Sequence, residues 1–500
     1  MHLVKSCLIM LLLLLIVNRP ALALDAFEIN QKLGRGINLG DALEAPREGE
    51  WGVRLRADYF RLIAEQGFDS VRIPIRWSTH AKRGKPYKIN ATFFSRVDWA
   101  IENALQNGLY VIINFHHYEK VYANPEKESK RFLALWEQVA RRYKDYPENL
   151  VFEILNEPKA KLTPERWNIL LAEALAVIRK ENAERIVMIG TADWGGLGAL
   201  SKLRLPADDR LILTIHYYNP FPFTHQGAEW VENPSSLPVG VTWNGSYYEK
   251  KAIINEFKPL FHYAREHNVP VNIGEFGAYS KADLKSRALW TAYCARFFEN
   301  SGFSWHYWEF CSGFGIYNPK TRRFYDELVT ALVPKDNDHS ILELGDPATE
   351  CGRELLRNGD FSASDTHWIS GAWQAPARFD AEVVDGEFVM NVQKAGINPW
   401  HIQLIQDSLT LKKGESYVLK FEARADRRRT ISASIDGGAE TNFTSYAGCS
   451  VELTPETDTY FLLVNMNKTI DSGRVVFSFA GTTGLVYMDN ISLRRIDEMQ

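Results

Sequence analysis

Two glutamates in this chain stand where a carboxylate is costly. Glu157 follows the apolar run Val151-Phe152-Glu153-Ile154-Leu155 and the amide Asn156, and it precedes Pro158. Glu275 closes Asn272-Ile273-Gly274 and is followed by Phe276-Gly277, so glycines flank it to let another group approach. A carboxyl at the end of a buried strand is expensive unless it is paired or used. Pro158 cannot continue a ladder, which sets Glu157 at a strand's carboxyl end, facing a cleft. Two carboxylates facing each other across a cleft are the groups that hydrolysis of a glycosidic bond requires. At roughly 5 Å apart one attacks the anomeric carbon while the other protonates the leaving oxygen; at roughly 8 Å a water fits between them and configuration inverts. An arginine such as Arg72 and a phenol such as Tyr218 can hold a neighbouring carboxylate ionised, which suits a nucleophile. The acid/base needs a raised pKa before glycosylation and an ordinary one after it.

The elements that would position these groups alternate. Short apolar strands are expected at Leu33 to Leu39, Ser70 to Ile75, Tyr110 to Phe115, Leu150 to Leu155, Ile186 to Ile189, Leu211 to Ile215, Pro270 to Gly274 and Phe303 to Tyr307, with amphipathic helices between them. Eight such units in about 300 residues predict an α/β fold, a (β/α)₈ barrel with its chemistry at the strands' carboxyl ends. Those ends read Asn38 and Asp41, Arg72, His116 and His117, Asn156 and Glu157, His216 and Tyr218, Glu275, then Trp308 and Glu309. Asn156 can bind a sugar hydroxyl and Trp308 offers a flat face to a pyranose. A metal site built on the paired histidines is disfavoured, because adjacent strand residues point to opposite faces. The same alternation turns Tyr217 away from Tyr218 and into packing. Trp136 and Trp167 fall at apolar helix positions and are expected in the core.

Length predicts two domains. Residues 24–334 carry the barrel pattern and 335–350 a polar, proline-containing linker. Residues 351–500 carry short alternating strands without a long helix, an all-β jelly-roll sandwich. Residues 1–23 combine Lys5, an apolar run and Ala21-Leu22-Ala23, the pattern of a removed secretory signal too short to anchor in a membrane. Beyond Cys7 the chain holds Cys294, Cys311, Cys351 and Cys449, which allow three pairings; no bridge is assigned. A formal net charge of -4 gives no footprint for nucleic acid or an anionic membrane. Aromatic residues make up 12%, with 14 Trp, a surplus that sugar stacking could use as well as two aromatic cores.

The ordered motifs resemble glycoside hydrolase family 5, the retaining cellulase family of the clan A barrels. Asn156-Glu157-Pro158 is similar to its acid/base motif, Glu275 to its nucleophile, and Arg72 within Val71-Arg72-Ile73-Pro74 to its second-strand arginine; His116, His216, Tyr218 and Trp308 match further family positions. The resemblance implies double displacement with Glu275 as nucleophile, Glu157 as proton donor and no metal. His216 to Phe221 with Thr224 to Trp230 is similar to bacterial endoglucanases that also accept mannan, in which His116, His117, His225, Trp230 and Glu44 would line the cleft. Asp41 stands where those relatives carry Asn. Residues 351–500 begin and end like carbohydrate-binding modules of families 4, 9 and 22, which implies Asp360 and Asp489 as candidate ligands of a structural calcium, with Trp373, Trp400 and Tyr446 as candidate sugar platforms. The resulting expectation is a secreted or periplasmic, monomeric retaining endo-β-1,4-glucanase with a binding module, acting on a polysaccharide without a catalytic cofactor. A mannanase or a xyloglucan or mixed-linkage glucanase would use the same residues, and a non-catalytic polysaccharide-binding protein is the reading from another class.

Overall fold

The computed structural model describes residues 24–231, 237, 239–336, 339–345, 349–351 and 353–497; the secretory signal expected at 1–23 lies outside them. Eight parallel strands close into a barrel in sequence order: β1 (Arg35–Asn38), β2 (Ser70–Ile73), β3 (Tyr110–Asn114), β4 (Leu150–Glu153), β5 (Val187–Gly190), β6 (Leu211–Tyr217), β7 (Val271–Phe276) and β8 (Ser304–Tyr307). Leu33 belongs to the preceding helix Ala26–Leu33, fixed by a reciprocal Asp25/Glu28 cap, and not to β1. That helix packs Ala26, Ile29 and Leu33 with Ile112, Val151, Ile186, Met188 and Ile212, so it closes one end of the barrel.

Alternation along the strands divides them between two environments. Val71 and Ile73 of β2 and Phe152 of β4 join the large aromatic-rich core under the helices. Arg72 and Glu153 stand on the opposite, inward face and are fully buried. The inward face continues with Ser70, Thr214, Asn272, Ser304 and His306. His306 Nε2 lies 3.0 Å from Ser70 Oγ, and Asn272 Nδ2 donates to Ser304 Oγ at 2.7 Å. The barrel is therefore filled by a satisfied polar network as well as by apolar side chains. Trp136 and Trp167 are core residues as expected, and each also donates its indole N–H to a strand end, to Ile154 O at 3.0 Å and Gly190 O at 2.9 Å.

A bulge re-aims β7. Ile273 pairs with Ile215, but Glu275 is the residue opposite His216, and against β8 the register also shifts between Ile273 and Phe276. A Cβ at Gly274 would meet Thr214 Oγ1 at 2.5 Å, and one at Gly277 would meet Trp308 O at 2.2 Å. The flanking glycines thus admit the neighbouring strand and loop. β6 and β7 run further than their apolar runs suggested, and beyond the bulge His216 and Glu275 lie within the ladder.

The second domain is a sandwich of two antiparallel sheets. One holds Arg378–Val384, Glu387–Lys394, Gly484–Asp497, Ser416–Ala425 and Asp458–Asn465 in that order, with Thr349–Cys351 paired to Gly484–Asp497; the other holds Ile369–Ala372, Ile402–Leu411, Ile470–Ser478, Arg429–Asp436 and Ser445–Leu453. Their facing side chains form a separate core. Tyr446 belongs to that core, which removes it as a sugar platform, while Trp373 and Trp400 are about half exposed. Cys294, Cys311 and Cys449 are buried free thiols.

Candidate active site

Arg72 organises the floor of the open end. Its Nε and Nη2 donate to Glu153 at 2.6 and 2.8 Å; Nη2 also reaches Asn156 Oδ1 at 2.7 Å, and Nη1 reaches Asn38 Oδ1 at 2.8 Å and Glu275 Oε1 at 2.7 Å. All five N–H groups of the guanidinium are used, the condition under which the desolvation cost of a buried charge can be offset. Burial disfavours the Arg72 cation, but the Glu153 and Glu275 charges outweigh it and raise its pKa. Burial likewise works against the Glu153 carboxylate, and Arg72 more than compensates, so Glu153 is held low. With Oδ1 of Asn156 committed to Arg72, the amide N–H₂ is the end presented to a ligand.

Glu275 receives a second donor on its other oxygen, Tyr218 O–H at 3.0 Å. Glu157 faces it, with Oε1 2.9 Å from His216 Nδ1, and the same nitrogen lies 3.5 Å from Glu275 Oε2. One oxygen of Glu157, one of Glu275 and a His216 ring nitrogen all lie within 4.8 Å of one another. That separation belongs to the retaining arrangement. Burial raises the Glu275 carboxyl against the lowering influence of His216 and Arg72. Burial also works to raise Glu157, but the His216 hydrogen bond draws it down, so the two shifts run opposite to the raised acid/base and ionised nucleophile expected from the sequence, because His216 hydrogen-bonds Glu157 while burial dominates at Glu275. Burial works against a His216 cation, yet the two glutamates raise its pKa. The Glu157–His216 pair thus shares one proton, and the titrations belong to the group rather than to single residues.

The other histidines of the cleft are neutral. Burial lowers His116 well below its ordinary range and brings His117 and His225 to about 4. His116 lies 3.2 Å from Asn114 through Nδ1 and stacks on Trp308 with centroids 5.7 Å apart. β3 ends at Asn114, and His117 has φ +37°, so the two histidines do not point to opposite faces; their rings meet edge to face at 4.6 Å. His225 stacks on Phe221 at 4.1 Å and meets Tyr218 at 4.9 Å and the exposed Trp230 at 6.4 Å. Tyr217 is buried on the far side, donating to Glu256 at 2.8 Å.

Two acids build loops. Glu44 is fully buried, accepting from the Asp41 and Ala42 amides, and so stands behind the cleft wall; burial raises its pKa strongly, with Asp41 adding to the effect. Burial raises Asp41 as well. Glu309 accepts from the amides of Cys311, Ser312 and Phe314, and burial pushes it up to about 8. A Cβ at Gly40 would come within 3.0 Å of the Trp308 ring, so these loops clamp that ring.

Sequence reading missed Glu153, counted there within an apolar run; period-two alternation with Val151 would have turned it inward beside Arg72. It also missed three rim residues. Trp51 meets His117 edge to face at 5.4 Å, and Lys159 Nζ sits 3.5 Å from the centroid of the exposed Trp194 ring. Their loops carry no periodic signal. In the second domain Asp360 accepts from Ser362 and Asp489 from Asn490, and neither belongs to a three-residue group with ligand atoms in reach of one ion among the described residues. The one such group is Glu157, His216 and Glu275. Its Glu275 already carries the Arg72 cation, and a divalent ion there would face that charge.

A family model described as cellulase, glycosyl hydrolase family 5, matches residues 34–313. The chain belongs to glycosyl hydrolase family 5. Residues 353–483 match a carbohydrate-binding domain. Among solved structures, Thermotoga maritima Cel5A in complex with cellobiose is 54% identical, with TM-score 0.61 over 62% of this chain and 100% of that one; the same enzyme in complex with mannotriose gives the same values. Endoglucanase H of Acetivibrio thermocellus is 35% identical over 316 residues, and cellulase/esterase CelE of that organism 30% identical over 352. Those alignments cover 62% and 64% of this chain but only 34% and 41% of the two relatives.

Proposed function

We propose that this family 5 chain is a retaining endo-β-1,4-glucanase. The observation that carries the reading is the opposed pair Glu157 and Glu275, with oxygens within 4.8 Å and different partners. Glu275, held by Arg72 and Tyr218, attacks the anomeric carbon. The proton shared by Glu157 and His216 goes through Glu157 to the departing glycosidic oxygen. Water then enters, Glu157 takes its proton, and the glycosyl–Glu275 ester is broken with net retention. Proton, base and nucleophile all come from side chains, so the chemistry itself calls for no metal. The bound cellobiose of the Thermotoga enzyme supports a glucan substrate, and its mannotriose complex favours mannan as a second backbone. Export behind the 1–23 leader would place the enzyme with polymers too large to enter a cell.

In the test, reducing ends are measured from carboxymethylcellulose, barley β-glucan and glucomannan, with the first-formed anomer followed by NMR. Glucan cleavage with retention is expected, lost in Glu275→Gln and Glu157→Gln while substrate binding persists. Retained activity in either variant, or an inverted product, would overturn the assignment.

A further inference from the structure

The binding module is seated on the barrel. Tyr248, buried on the helix Tyr247–His267, packs against Val418 and Ile496, with its ring 5.4 Å from that of Phe461. Lys258 Nζ pairs with Asp458 at 2.7 Å, and Asn467 Nδ2 donates to Val239 O at 2.8 Å. Beside this seam lies an open cavity of about 390 Å³ shared by the two domains, within the size range of sites that hold small ligands.

Its module wall is the outer face of two paired strands. Ile431, Ala433 and Ile435 of Arg429–Asp436, with Ala447, Cys449 and Val451 of Ser445–Leu453, turn into the module core. Alternation then sends Ser432, Ser434, Gly448 and Ser450 outward, toward the barrel. Register places Ser432 opposite Ser450 and Ser434 opposite Gly448, a compact patch of hydroxyls without bulky side chains. Among the described residues the barrel wall is made of Asn219, Phe221, Pro222, Val231 and Leu237. Asn219 is fixed by two hydrogen bonds from Nδ2 to Glu256, both 3.1 Å, and Phe221 is 40% exposed. Among the described residues that line the cavity none carries a charge. Phe221 is also continuous with the catalytic cleft: it stacks on His225, whose ring meets Tyr218, the donor to Glu275.

We propose that this seam is a composite binding site for a further stretch of the same β-linked glucan whose cleavage takes place in the barrel. Hydroxyls on one wall facing Phe221 and the apolar side chains of Pro222, Val231 and Leu237 on the other suit a polyhydroxylated chain, whose sugar rings carry both polar edges and apolar faces. The module then acts as a wall of an extended cleft as well as an anchor to the polymer. The inference rests on the glucanase reading for the identity of its ligand.

Gly448→Trp tests it. A Cβ there would meet Ser434 Cβ at 3.7 Å, an ordinary contact, and the new side chain would enter the cavity. The double variant Ser432→Ala/Ser450→Ala removes hydroxyls with no added bulk. kcat/KM is measured on cellotriose and on cellohexaose, and cellohexaose binding is measured by calorimetry in the Glu275→Gln background. Gly448→Trp should leave cellotriose unchanged and lower both cellohexaose kcat/KM and affinity about tenfold, the loss of roughly one good contact; the serine variant should do the same to a smaller degree. Wild-type behaviour of both variants on both lengths overturns the proposal, as does an equal loss on the two lengths, which would report disturbed domain seating. If the wild-type chain cleaves neither oligosaccharide the glucanase reading fails separately, and the calorimetry alone decides the seam: cellohexaose affinity unaffected by Gly448→Trp overturns it.

Discussion

Tyr218→Phe isolates one hydrogen bond to Glu275, the proposed nucleophile. The phenol donates to Glu275 Oε2 at 3.0 Å while Arg72 occupies Oε1 at 2.7 Å, so the substitution removes one of two donors and leaves the cation. Burial keeps the Tyr218 phenol protonated far above neutral pH, so it is a donor throughout the working range. A hydrogen bond to a charged group contributes about 1.5–3 kcal/mol; at 1.36 kcal/mol per pKa unit, its loss should raise the Glu275 carboxyl by about one to two units. The Phe ring keeps its contacts with His225 and Phe314, so the fold should hold. The assay is kcat/KM against pH on a soluble cello-oligosaccharide, whose acid limb reports Glu275 in the free enzyme if it is the nucleophile proposed. The acid limb should move up by roughly one to two units, so that below it the variant is about 10- to 100-fold slower, with the gap narrowing as pH rises. An acid limb that stays in place while the rate drops uniformly would refute the argument that the Tyr218 hydrogen bond lowers the pKa of Glu275.

Two further substitutions probe the barrel interior. Glu153→Gln leaves the fully buried Arg72 with one carboxylate in place of two, and should lower unfolding stability by about 3–5 kcal/mol in urea titration; a cost below about 1 kcal/mol, the range of surface pairs, would show that the pair is not a buried one in effect. His306 is buried neutral, its pKa lowered from 6.5 to about 3 by burial. The unfolded chain therefore binds a proton below pH 6.5 that the folded chain refuses, and stability falls by about 1.4 kcal/mol per unit from 6.5 down toward 3 on this account. Thermal unfolding between pH 7 and 4 should fall more steeply in wild type than in His306→Gln, and parallel slopes would contradict the burial argument.

What the sequence by itself determined is the part that rests on local pattern. Apolar runs spaced by amphipathic helices fix the eight strands and the barrel, because strand count and alternation leave few other ways to bury those faces. The short alternating runs after the linker likewise specify a sandwich. Glu157 and Glu275 were legible because a carboxylate ending an apolar run is costly, and costs of that kind show in one dimension. Tertiary structure decided everything that depends on closure of the barrel. Arg72 can serve Glu153, Asn156, Asn38 and Glu275 together only because strands 1, 2, 4 and 7 bring their inward faces to one axis. The glycines around Glu275 read as room for another group to approach, and tertiary packing identifies those groups as Thr214 and the Trp308 carbonyl. Asp41 and Glu309 read as strand-end groups at the open face, and Glu44 as a residue lining the cleft; loop geometry turned Glu44 and Glu309 onto backbone amides, and whether an acid meets a ligand or an N–H is set by where the loop returns, which no spacing encodes. The seating of the module beside Phe221 is of the same kind, since it depends on two surfaces that become neighbours only after each domain has folded.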